Sequence, residues 1–125
     1  MSFKTTFASW LDESLPNEIP HGVVAFSFNL TEITHGEFEV EIIGAESFDA
    51  EDEDWACDEV WEPSQRSIEI PEGEIGNQWE EVLDSMTSIV MDYLDNGSKS
   101  GMLKSGKGIG IGFVSGDLNI LWKAD

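Results

Sequence analysis

Val23-Val24-Ala25-Phe26-Ser27-Phe28-Asn29-Leu30, followed six residues later by Glu37-Phe38-Glu39-Val40-Glu41-Ile42-Ile43, carries the clearest structural signal in this chain. Val24, Phe26, Phe28 and Leu30 fall on one side of an extended backbone, with Ser27 and Asn29 on the other. In the second run Phe38, Val40 and Ile42 alternate with Glu37, Glu39 and Glu41. Successive side chains of a strand point to opposite faces, so alternation this strict marks half-buried antiparallel strands with one wet face. Residues 31–36 are few enough to join the two strands as a hairpin.

Working outward, residues 3–15 place Phe3, Phe7, Trp10, Leu11 and Leu15 on one face of a 3.6-period helix. Ser2 can cap its start, and Pro16 stops it. Downstream, residues 46–62 hold nine acids in seventeen positions, interleaved with Phe48, Trp55 and Trp61, and read as a long loop pinned by its aromatics. A short strand at 67–70 precedes Pro71. Residues 78–95 read as a second helix with a wide apolar stripe running from Trp79 to Leu94, which puts Leu83, Met86 and Val90 in the core. Asn77 with Glu80 fits a capping box at its start, and Gly97 sits just past its end.

After a Gly/Ser/Lys-rich linker at 96–107, strands at 108–114 and 117–123 flank Ser115-Gly116 as a hairpin, with Leu118, Ile120 and Trp122 on one face of the second. Gly108, Gly110 and Gly112 recur with period two, which fits a neighbour packed closely on that side of the strand. The order predicts a single α+β domain over residues 1–125. It is a two-layer sandwich in which one mostly antiparallel sheet of four to five strands carries two helices on one face.

The chain has 125 residues, enough for one core without staples, and 40% of them are hydrophobic, too many for disorder. Twenty-six acids against six bases give a net charge of −20. Acid density of that order makes nucleic acid and anionic membrane poor partners and a basic protein a good one. The charge is uneven: residues 1–95 carry 24 of the acids and only Lys4 and Arg66 as bases. No apolar run reaches the length of a signal peptide or a membrane span, so a cytoplasmic location is expected. The single Cys57 can form no internal disulfide.

The acidic loop fails the calcium-loop pattern. Counted from Asp49, the turn position that needs glycine is Asp54, and the closing position that needs a bidentate acid is Val60. The glycine run at 106–112 has neither the lysine–hydroxyl pair of a P-loop nor the third glycine of a dinucleotide turn, which is Phe113. His21 and His35 lie beside no nucleophile motif, and the acids flanking Cys57 disfavour the thiolate a nucleophile needs. No metal, no cofactor and no catalytic residue is therefore expected. What remains is an interface in which acids steer a partner and aromatics anchor it. Its candidate residues are Glu37, Glu39 and Glu41 on the strand, spaced roughly 7 Å apart, and Asp49, Glu51, Asp52, Glu53, Asp54, Trp55, Asp58, Glu59 and Trp61 in the loop.

With its amphipathic N-terminal helix, the segment Asp54-Trp55-Ala56-Cys57-Asp58-Glu59-Val60-Trp61 and the terminal Gly112-Phe113-Val114-Ser115-Gly116-Asp117-Leu118, the chain resembles small acidic immunity proteins of bacterial polymorphic and contact-dependent toxin systems. The resemblance implies a stoichiometric inhibitor of a basic toxin domain, often a nuclease, whose cleft the carboxylates would cover in place of phosphates. Two other functions share the same composition. One is a nucleic-acid mimic that titrates a DNA- or RNA-binding protein, and the other is a metal-dependent hydrolase built on the acid cluster.

Overall fold

The computed structural model describes residues 2–124. Its first helix, α1 (Phe3–Ser14), is capped as its sequence predicts, the Ser2 hydroxyl accepting from the Thr5 N–H at 3.3 Å. Phe3, Phe7, Trp10 and Leu11 are buried, and the indole N–H of Trp10 donates to the Gln65 carbonyl at 2.8 Å.

Six strands follow: β1 (Ala25–Thr34), β2 (Glu37–Ala45), β3 (Glu59–Trp61), β4 (Ser67–Ile70), β5 (Gly108–Phe113) and β6 (Asn119–Lys123). They form one sheet in the order β3-β2-β1-β5-β6, with β4 also paired to β2. The α+β sandwich is therefore as expected, with a slightly wider sheet. The extra strand is β3, three residues long, inside the segment expected to be loop throughout; its pairing with Gly44 and Ala45 fixes it there. All pairings are antiparallel except β1 with β5. That exception follows from α2 (Trp79–Asn96), which carries the chain from β4 on the β2 edge back to the centre of the sheet.

The β1–β2 hairpin turns through His35 and Gly36, where Gly36 has φ +82°, a region costly for any residue with a Cβ. Both strands run past the ends that alternation alone marks, β1 to Thr34 and β2 to Ala45.

On one face of the sheet Phe26, Phe28 and Leu30 of β1 register with Val40 and Ile42 of β2 and Ile109 and Ile111 of β5. Phe7 and Leu11 of α1 and Val82, Met86 and Val90 of α2 complete this core. The two helices are tied by Tyr93, whose hydroxyl donates to Asp12 at 2.7 Å; burial and that carboxylate hold its proton well above the ordinary tyrosine range. A further short helix, α3 (Ser100–Leu103), occupies the expected linker and buries Met102 and Leu103.

The second helix departs from its sequence reading in three respects. Its first residue, Trp79, is 53% exposed, and Leu83 is only partly buried. The acid that closes its N-terminus is Glu81, which accepts from the backbone N–H groups of Asn77 (3.0 Å) and Gln78 (3.3 Å). Gly97 has an ordinary φ of −73° and is required for space, because a Cβ there would meet the Tyr93 ring at 2.5 Å.

The opposite face of the sheet is half covered. Ala25, Ile43 and Ala45 lie under Trp55 and Phe48, joined by Leu118 and Ile120. The period-two glycines explain the fit: a Cβ on Gly108 would meet the Phe48 ring at 2.1 Å, and one on Gly110 would meet Leu118 and Trp55 at 3.2 Å. The register slips between Ile109 and Gly110, which pair with Trp122 and Ile120, leaving Leu121 as a bulge. Ile120 and Trp122, expected on one face, are thereby sent to opposite faces.

Candidate functional site

The acids singled out in the sequence come to the same side of the sheet. Glu37, Glu39 and Glu41 share the parity of Ile43 and Ala45, so they extend along β2 from the aromatic patch that anchors the loop. Beyond that patch this face is open, and Glu39 lies directly opposite Glu69 of β4. Like charges facing each other across a ladder destabilise it.

Arg66 is the base that ties these acids together. Its Nε donates to Glu41 at 2.8 Å, its Nη2 to Glu59 at 2.7 Å, and its Nη1 to Glu59 and Glu62. The Glu59 hydrogen bonds lead the effects that hold its guanidinium proton even more firmly than usual. Three carboxylates around one guanidinium leave the cluster net negative. It stitches β2 to β3 and makes the strand acids continuous with those of the loop.

The loop itself is more ordered than a solvated run. A 3-10 turn spans Glu53–Cys57. Asp49 accepts from the Glu51 N–H (2.9 Å) and Asp52 from the Asp54 N–H (3.0 Å). The Ser47 hydroxyl donates to Asp58 at 2.6 Å, and the Leu118 N–H donates to Glu53 at 3.0 Å. Glu51, Asp52, Glu53 and Asp54 are all exposed. The side chains of Glu37, Glu39, Glu51 and Asp54 take no hydrogen bond or ion pair among the described residues. Their acceptor capacity, like that of Glu69, is free for a partner.

Both tryptophans proposed as partner anchors are instead part of the fold. Trp55 is 3% exposed, beneath the loop, with its ring edge-on to Phe48 at 5.1 Å. Trp61 pairs across from Gly44 and sets its ring edge-on to Phe26 at 6.1 Å, on the helix side of the sheet. An aromatic between acids in sequence gives no sign of which way it turns once β3 forms. Sequence reasoning also passed over Arg66 as a hub and Glu69 as the fourth strand acid, although the alternation of 67–70 already placed Glu69 on the Glu39 side.

Among the described residues no three His, Cys, Asp or Glu side chains converge as a metal site would require, and no helix is long and apolar enough to cross a membrane. The chain matches no protein-family model, no curated protein and no solved structure.

Proposed function

We propose that this chain is an acidic binding protein that neutralises a basic toxin domain by stoichiometric binding, and is not itself an enzyme. The observation that carries the reading is the open half of the sheet, where Glu39 faces Glu69 and Glu37 extends the row, none of the three in an ion pair among the described residues. Such a surface costs stability in the isolated protein and is relieved when lysines and arginines dock on it. The loop acids enlarge it on the same side, and an inhibitor of this kind would fill a cleft that otherwise accepts phosphates. A cytoplasmic location agrees with this role.

The test is to capture the native partner, fix the stoichiometry, and assay the partner's activity with and without this chain. A basic partner whose activity falls in proportion to bound chain supports the proposal. A partner that stays fully active when saturated, or one with no basic surface, overturns it.

A further inference from the structure

Where β5 stops, β1 runs on. The last β1 residue paired with β5 is Leu30, opposite Phe113, and the Val114 N–H closes that ladder on the Leu30 carbonyl at 3.0 Å. Thr31, Glu32 and Thr34 of β1 pair with β2, with Ile33 bulged between the last two, and residues 31–34 have no strand on the other side among the described residues. The N–H and C=O of a strand residue point to the same edge, and alternate residues repeat the direction. Because Leu30 faces β5, the backbone of Glu32 faces the gap. An open strand edge is a template for pairing with another chain.

The gap is lined for an apolar contact. A cavity of about 350 Å³ lies between Thr31, Glu32, Trp79, Phe113 and Val114. Trp79 stands edge-on to Phe113 at 6.0 Å, yet is 53% exposed, and Val114 is 63% exposed. Charge selects what can fill it. The three depressions that meet around Phe113 and Gly116 are lined by Glu32, Glu53, Asp54 and Asp117 and by no Lys, Arg or His. A second copy would bring another net charge of −20 against this rim, so self-association is disfavoured.

We propose that an extended basic segment of a partner protein pairs with β1 at residues 31–34, continuing the line of β5, and seats an apolar side chain against Trp79. Cross-strand neighbours share a face. A residue opposite Glu32 therefore turns toward Phe113 and Trp79 on the helix side. The residues before and after it turn toward the acidic side, where Thr31 pairs with Glu39. The segment recognised alternates apolar and basic residues, a strand-addition mode in which backbone bonds hold and alternate pockets select. This rests on the basic-partner reading above and adds the mode of docking.

The test uses a short peptide of alternating valine and lysine, followed by tryptophan fluorescence and by amide chemical shifts at low salt. Saturable binding is expected, with the largest shifts at Glu32, Val114 and the Trp79 indole. Trp79→Ala, a change at an exposed position, should weaken binding about tenfold or more. N-methylation of alternate peptide amides, which leaves the protein untouched, should do the same. If the peptide binds but neither change weakens it, and the shifts fall at Glu37, Glu39 and Glu69, the strand-addition site is wrong while the acidic-surface reading stands. If the peptide does not bind at all, the strand-addition site is wrong, and the acidic-surface reading is decided separately by the partner capture and activity assay above.

Discussion

Trp55 sits under four consecutive exposed acids, residues 51–54, with its indole N–H unpaired among the described residues. Its role is to hold the loop down on Ala25, Ile43 and Ala45. Trp55→Ala should therefore lower the stability of the isolated protein by about 3–5 kcal/mol. Trp55→Phe should cost far less, since it keeps an aromatic ring and breaks no hydrogen bond. Chemical denaturation of the two variants checks this, and equal losses would contradict it. Glu39 behaves in the opposite sense. Glu39→Gln removes its repulsion from Glu69 and should raise stability by about 0.2–1 kcal/mol at low salt. That gain should shrink as added salt screens the pair, which the same denaturation experiment shows across ionic strengths.

At the scale of elements, the β1–β2 hairpin and both long helices were legible because each buries one face and so leaves a period in the sequence. What escaped was whatever breaks the period: the Leu121 bulge that turns Ile120 and Trp122 apart, and β3, too short to show alternation. The parallel β1–β5 pairing escaped for a different reason, since it is set by where α2 returns the chain rather than by either strand. The apolar stripe of α2 overstated its burial at the N-terminal end, where Trp79 meets Phe113 edge-on and is otherwise exposed. Met86 is fully buried and Leu83 only partly. Met86→Ala should cost about 2–5 kcal/mol, and Leu83→Ala distinctly less. Thermal melts of the two variants give the ordering, and a reversed order would mean that α2 is rotated about its axis.

Across the whole molecule, the acids singled out in the strand and the loop lie on one side of the sheet, but the sequence could not assign their separate tasks. Asp49, Asp52, Glu53 and Asp58 bond within the loop or to the β5–β6 turn, and Glu41 and Glu59 are engaged by Arg66. Those pairings depend on tertiary geometry that composition does not encode. Glu37, Glu39 and Glu69 take no ion pair among the described residues on an open sheet face, and they are central to the binding account. The most direct measurement is the association rate of the captured partner with the wild-type chain and with a Glu37→Gln, Glu39→Gln, Glu69→Gln variant, taken from low to physiological salt. The screening length shrinks from about 30 Å at low salt to about 8 Å at physiological salt, so wild-type association should slow steeply as salt is added. The triple variant, which leaves the Arg66 cluster intact, should associate more slowly at low salt and respond less to salt. Identical rates for the two proteins at every salt concentration would contradict the account.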